Sequence, residues 1–281
     1  MGSIEITMEQ LKDQIERHYF RGNLYESILE GVKQKNLDPG NIKRSDIEGV
    51  DEFHVRGSQV SQKIATYANI TGLKALDIGC GIGGPARMLR EEYHCDVTGI
   101  DINREYIETA QKLTALVGMK EGIAFIQGDA TDLPFNDGSF DLVWTQHVQM
   151  NIQDKEKFYA EISRMLKTGG LFIHYEILSQ GNGQIEYPVP WANDERISFL
   201  SAKEDLEKII EAAGLKKIRA EDETAKGIEF FENLLAGIKE KGVPAIGLNL
   251  LMGDSTKLKI TNLLNGLKNG SIELQSGLFM K

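Results

Sequence analysis

Apolar positions divide the chain into two textures. Over residues 7–35, Met8, Leu11, Ile15, Tyr19, Leu24, Ile28, Leu29 and Val32 recur at mostly three- and four-residue steps, with a break near Gly22. That spacing predicts two short amphipathic helices. Residues 36–52 hold Asn36, Asp38, Pro39, Gly40, Asn41, Asp46, Glu48 and Gly49, a density of turn formers that predicts a loop. A helical pattern resumes over 58–68. Beyond it, short apolar runs alternate with amphipathic stretches. Strands are predicted over 74–78, 96–100, 123–127, 140–145 and 171–176, with helices over 85–93, 104–117 and 155–166. Lys167, Thr168, Gly169 and Gly170 close the last of these in the manner of a glycine-terminated helix. The remainder reads as a loop over 179–198, a helix over 202–213, a strand over 215–222, helices over 228–241 and 255–267, and a final strand over 271–279.

Strands alternating with helices call for right-handed crossovers and a mostly parallel sheet covered on both faces. The expected fold class is therefore α/β, a Rossmann-like doubly wound sheet. Residues 1–50 are expected to form an N-terminal helical cap on a main domain of residues 51–281, with an acceptor-side loop at about 179–200.

Composition narrows the functions. With 41% hydrophobic residues in 281, one large core is available. No run approaches the roughly 18 apolar residues of a membrane span, and residues 1–21 are too charged for a signal peptide, so a cytoplasmic protein without membrane contact is expected. Met1 and Gly2 open like a myristoylation site, but Ile6 stands where Ser or Thr is required. Cys80 and Cys95 lie in no metal-ligand spacing, and no metal is expected. The net charge of −10, with no Lys/Arg run to offset it, argues against a nucleic-acid partner. The expected partner is a small molecule, and the expected assembly a monomer or homodimer.

The chemistry gathers where the first predicted strand runs into Asp77, Ile78, Gly79, Cys80, Gly81, Ile82, Gly83 and Gly84, after which Pro85 opens a helix. Glycines there let the backbone turn sharply and let a ligand lie against it. The second strand ends in Asp101, 20 residues after Gly81, where an acid accepts hydrogen bonds from ribose hydroxyls. Dinucleotide sites place a pyrophosphate at the helix start. Here Asp77 precedes the glycines, which opposes a pyrophosphate and suits the cationic sulfonium and ammonium of S-adenosylmethionine (SAM).

From about residue 53 to 178 the chain resembles the class I SAM-dependent methyltransferases. The first motif matches residues 76–84, including Asp77, Gly79, Cys80, Gly81 and Gly83, and the ribose-binding acid matches Asp101, followed by Ile102. The adenine-contacting acid matches Asp129 within Gly128, Asp129, Ala130, and the fourth-strand segment matches residues 140–144, with Gln146 just beyond. The turn before strand five matches 166–171. The resemblance implies SAM as cofactor, S-adenosylhomocysteine (SAH) as product, and seven strands with an antiparallel last one. Within the family, Asp51, Glu52, Phe53, His54, Val55, Arg56 and Gly57, with Thr145, Gln146 and His147, are similar to bacterial sarcosine/dimethylglycine N-methyltransferase-like enzymes. More distantly they are similar to phosphoethanolamine N-methyltransferases and quinone C-methyltransferases.

His147, just past strand four at the ligand-collecting edge of the sheet, is a candidate base or a structural histidine. His54 shares its chemistry. Tyr175 and Glu176, read as ending strand five, point towards the site, with Glu176 placed to steady a cationic amine. Tyr187 and Trp191 in the 179–200 loop could hold a methylated ammonium, and Arg56 or Arg196 could pair a carboxylate. Tyr19 is a candidate lid residue. The expected activity is methyl transfer to a small amine or amino acid. Its alternatives are O- or C-methylation of a larger metabolite such as a quinone or polyketide, or a SAM-binding regulatory or partner subunit without turnover.

Overall fold

A computed structural model describes residues 7–119, 121–181 and 184–281. Met1, Gly2 and Ile6, weighed above for lipidation, lie outside them, as do Asn182 and Gly183 of the 179–200 loop. Four helices precede the sheet: α1 (Met8–Tyr19), α2 (Leu24–Gln34), α3 (Arg44–Asp51) and α4 (Ser58–Ala65). Then follow β1 (Lys74–Ile78), α5 (Gly84–Tyr93), β2 (Asp96–Asp101), α6 (Arg104–Leu116), β3 (Ile123–Gln127), β4 (Phe140–Gln146), α7 (Lys155–Met165) and β5 (Leu166–Ser179). The chain closes with α8 (Lys203–Ala212), β6 (Lys216–Asp222), α9 (Thr224–Lys241), α10 (Asn249–Met252), α11 (Thr256–Lys268) and β7 (Ile272–Met280). Among the described residues, no helix is long and apolar enough to cross a membrane.

The seven strands lie in the order β3-β2-β1-β4-β5-β7-β6. Neighbours among the first five pair in parallel, and β7 runs antiparallel to both β5 and β6. Strand order reverses between β1 and β4. The crevice beyond their carboxyl ends is where ligands collect in such sheets, and it is there that the 79–83 loop and His147 emerge. Alternation along β4 sends Leu142 and Trp144 into the core on one face of the sheet and Val143 into the core on the other.

A third cluster lies outside the sheet. Leu24, Ile28 and Val32 of α2 and Ile47 and Val50 of α3 pack with Tyr106 and Leu113 of α6 and with Ile246 and Leu251, which lie between α9 and α11. The helices before β1 and those between β6 and β7 thus meet over the crevice. Their approach is close enough that a Cβ on Gly31 or Gly49 would collide with the carbonyls of Ala245 or Ile246.

Three expectations are corrected. Residues 36–52 are not a plain loop: they hold a 3₁₀ turn, Pro39–Asn41, and α3, whose buried side chains are Ile47, Val50 and Asp51. A helix with two apolar anchors shows little periodicity, and Gly49, a turn former elsewhere, serves here as a contact point. Nor is α7 closed by a left-handed glycine. Leu166 is already extended (φ −75°, ψ 137°) and pairs with Phe140, so the turn at 167–170 falls within β5. Finally, β5 runs on to Ser179 because β7 pairs with it as far as Ile272, which places Tyr175 and Glu176 inside the sheet rather than at its end.

Candidate active site

β1 hands the chain to a loop that folds back over the end of β2: the amides of Gly79 and Cys80 both donate to the Ile100 carbonyl, at 2.8 and 3.1 Å. Gly79 adopts φ +71°, and a Cβ there would drive into the side chain of Val148, so no other residue fits between this loop and the turn after β4. Beneath the loop, the fully buried Arg87 guanidinium pairs with Asp51 and donates to the Ile82 carbonyl (2.7 Å) and to Thr114 Oγ1 (2.8 Å). Gly83 turns the chain into α5 behind the loop and does not face the crevice.

Around this loop lies a cavity of about 1360 Å³, a figure that includes its open mouth. Asp77, Gly79, Cys80, Gly81, Asp101, Ile102, Gly128, Asp129, Ala130 and Gln146 line its floor. Asp77 is 2% exposed, and its Oδ2 has no hydrogen-bond partner. Burial, then the charges of Asp101 and Glu52, raises its pKa well above the usual carboxylate range. A buried carboxylate oxygen without a partner is costly, and a bound cation resolves the cost.

Asp101 is held ready: Oδ2 accepts from the Gly81 amide and Oδ1 from the Asn103 amide, both at 2.9 Å, leaving a lone pair on each oxygen. Burial pushes it up to about 6 against those donors. Asp129 accepts from the Thr131 amide and hydroxyl (2.8 and 2.9 Å) and pairs with Lys12 of α1. Burial raises its pKa, but Lys12 and Thr131 outweigh that and hold it low. The Cys80 thiol is driven well up by burial and by Asp101 and Asp77, so it is no nucleophile. This set fits SAM: an unpartnered carboxylate for its cationic end, a pre-held one for its ribose, and a backbone cradle between them.

Beside the floor, His147 stands at φ +55°, half-buried and lining the cavity, with its amide donating to the Tyr175 carbonyl (2.8 Å) and its Nε2 unpartnered. Burial, then the nearby His54, lowers its pKa well below the usual histidine value, so the ring is neutral. It lies over Tyr175 with ring centres 4.7 Å apart, and His54 meets both rings edge-on. His54 lines the cavity too, and its Nε2 is 3.0 Å from the buried Glu52 carboxylate. Ser61 bridges that carboxylate to the Gln146 side chain, which accepts from Trp144 Nε1 at 2.7 Å.

Glu176 is not in the cavity. Its carboxylate turns the other way, accepting from the amides of Val148 (3.0 Å) and Gln149 (3.3 Å) and from Thr145 Oγ1 (3.1 Å). It pins the turn that carries His147. Burial raises Glu176 to about 8 despite these donors. A carboxyl raised above its unfolded value of about 4.5 contributes stability that is full below that value and is lost as pH rises to about 8. Glu176→Gln, whose Oε1 can accept both amides while its Nε2 donates to Thr145 Oγ1, is expected to flatten this slope of up to about 1.4 kcal/mol per pH unit. Urea midpoints from pH 5 to 8 check it, and parallel slopes in both proteins would refute the assignment.

Tyr19 lines the opposite wall, its hydroxyl donating to Asn151 Oδ1 (2.7 Å). Asn151 in turn donates to the carbonyls of Trp191 (3.0 Å) and Ile197 (2.8 Å). Trp191 lines the cavity and is otherwise packed down, with Nε1 on Ser198. Four acceptor-side candidates fall elsewhere. Tyr187 lies outside the lining. Arg56 is spent on the buried Glu223 (2.6 Å), and Arg196 faces solvent on Asp194 (2.6 Å). Tyr175 lies fully buried beneath His147. Their place is taken by residues the sequence did not single out: Phe231 of α9, Leu248, Met252 of α10, and Ile260 and Leu263 of α11. Helical periodicity showed that α9 and α11 bury a face, but not against what.

Residues 76–174 match the family model described as a methyltransferase domain. Over this stretch the chain is similar to methyltransferase domains. Two curated relatives match part of the chain: ajmaline N-methyltransferase of Rauvolfia serpentina is 42% identical over 98 residues, 35% of this chain and 34% of that one. A sterol 24-C-methyltransferase of Gibberella zeae is 40% identical over 107 residues, 38% of this chain and 28% of that one. The match thus spans about a third of either relative. Among solved structures, phosphoethanolamine N-methyltransferase 2 of Haemonchus contortus with bound SAM superposes with a TM-score of 0.77 at 18% identity, covering 100% of this chain and 61% of that one. The stretch that matches the family model supplies the cavity floor. Its roof, α1 to α3 and α9 to α11, lies outside the matched residues.

Proposed function

We propose that this protein transfers the methyl group of SAM to an apolar small-molecule acceptor, releasing SAH. The carrying observation is the roof. Tyr19, Trp191, Phe231, Leu248, Met252, Ile260 and Leu263 face the acceptor side, while the lining carboxylates, Asp77, Asp101, Asp129 and the Arg87-paired Asp51, belong to the floor. Arg56 and Arg196, the two arginines that could have paired an amino acid's carboxylate, are engaged elsewhere. Aliphatic and aromatic walls suit a larger hydrophobic body, as in the sterol and alkaloid methyltransferases that match part of the chain. The balance therefore moves from a small amine or amino acid to the larger metabolite.

SAM, once bound, supplies an electrophilic methyl on its sulfonium sulfur. Asp77, Asp101 and Asp129 would hold its amino-acid, ribose and adenine parts, and the roof would exclude water and align the acceptor. His147, neutral, lining the cavity and with its Nε2 unpartnered among the described residues, would take the proton that the methylated centre sheds.

An acceptor panel read by mass spectrometry tests this. SAH release is expected with sterol-like, isoprenoid or polyketide-like compounds and not with glycine-derived amines. The reverse order would return the assignment to a small-amine enzyme. SAM binding with no turnover on any acceptor would favour a binding subunit.

A further inference from the structure

At the rim of the acceptor cavity two cationic side chains and a histidine come together, and among the described residues none of them is paired with a carboxylate. Lys259, on α11 beside the lining residues Ile260 and Leu263, is 2% exposed, and among the described residues its ammonium has neither ion-pair nor hydrogen-bond partner. Arg21, just past α1, spends Nε on the Leu251 carbonyl (2.6 Å) and Nη1 on the Phe20 carbonyl (3.1 Å), and among the described residues no carboxylate meets its guanidinium. His18, 7% exposed, places Nε2 2.9 Å from the Pro190 carbonyl. Each neighbours a residue that lines the cavity: Tyr19, Pro190, Met252 or Ile260.

These groups feel one another. Burial lowers Lys259 to about 8, with Arg21 adding to the effect. Burial lowers His18 to about 4, helped by Lys259 and Arg21. The nearby carboxylates are already used: Asp194 by Arg196, and Glu105 by the amides of Arg21 (2.5 Å) and Leu24 (3.0 Å). A lysine drawn in from solvent without a partner is costly unless something anionic meets it, and its neighbours on the buried face of α11, Ile260, Asn262 and Leu263, offer no negative charge.

We propose that Lys259, with Arg21 and His18 beside it, binds an acidic head group, carboxylate or phosphate, on the acceptor whose apolar body fills the cavity. This rests on the apolar-acceptor reading and narrows it to an amphipathic acid. The head group would fix how far the body enters, and hence which atom reaches the methyl group.

Calorimetry on the SAH-loaded protein with three probes of equal chain length, dodecanoate, dodecyl phosphate and dodecanol, tests it. A charge-assisted contact in a buried site is expected to make at least one acid bind about tenfold or more tighter than the alcohol. Lys259→Met should erase that preference while leaving dodecanol affinity within about threefold, and Lys259→Arg should keep it. Removing a lone buried charge should also raise the melting temperature of the Met variant without ligand. Should Lys259→Met fail to fold, Arg21→Gln is expected to reduce the same preference. Equal binding of acids and alcohol by the wild-type protein, or an acid preference that survives Lys259→Met, would overturn the head-group site and leave the apolar cavity standing. Failure of all three probes to bind would instead overturn the apolar reading, and the head-group site with it.

Discussion

SAM binding by an Asp77→Asn protein is expected to weaken by about two orders of magnitude or more. Among the described residues, Asp77 Oδ2 is the one floor carboxylate oxygen that is buried with no partner, and burial beside Asp101 and Glu52 leaves it reluctant to ionise until a cation arrives. Removing one member of a buried charge pair typically costs about 3–5 kcal/mol, which at about 1.4 kcal/mol per decade is roughly a hundredfold to a few thousandfold in Kd. Asparagine keeps the shape and one acceptor oxygen, so the loss reads the charge alone. The pH dependence has a definite sign. Binding must expel the proton that Asp77 holds in the free protein, so wild-type affinity should tighten as pH rises through the raised pKa, while the Asn variant stays level. Calorimetry from pH 5 to 8 tests both halves, and a folded Asn variant with wild-type affinity would remove Asp77 from the cofactor site.

His147→Asn is expected to lower kcat by about 10²- to 10⁴-fold with little change in SAM affinity. Asparagine is the better probe than alanine because residue 147 sits at φ +55°, a left-handed conformation that Asn tolerates best after Gly. The imidazole is thereby removed without disturbing the turn that Glu176 pins. Because burial and His54 hold the wild-type ring neutral well below the usual histidine pKa, activity should stay level from neutral into mildly acidic pH. If the acceptor sheds no proton, the loss should appear in its KM rather than in kcat, so both constants are required. Wild-type kcat and KM in the Asn enzyme would mark His147 as structural.

The floor was legible in sequence because each of its parts is local. An acid, four glycines and a helix-opening proline follow one strand, and a second acid ends the next. The fold fixes how these lie together, so Asp77, Gly81 and Asp101 could be read from spacing alone. Glu176 could not. Its chemistry depends on how far β7 extends β5, a pairing between residues nearly a hundred positions apart. Arg56 and Arg196 looked like anion binders because a sequence displays charges without their partners, and Glu223 and Asp194 claim them. Lys259 is the converse case: inside an amphipathic helix it reads as a solvated charge, and only packing shows it to be buried and alone.

The interlocked roof bears on any attempt to re-engineer the enzyme. Gly31 and Gly49 lie against the backbone at Ala245 and Ile246, and α2 and α3 share a core with Ile246 and Leu251, so residues distant in the chain are one mechanical part. A chimera that imports only the N-terminal helices of a relative would meet a foreign 244–252 segment with the wrong shape, exposing Tyr106 and Leu113 beneath. Transplanting acceptor preference thus calls for exchanging residues 7–57 and 223–271 as a matched pair over an unchanged floor. Homologues that diverge in one segment should carry compensating changes in the other.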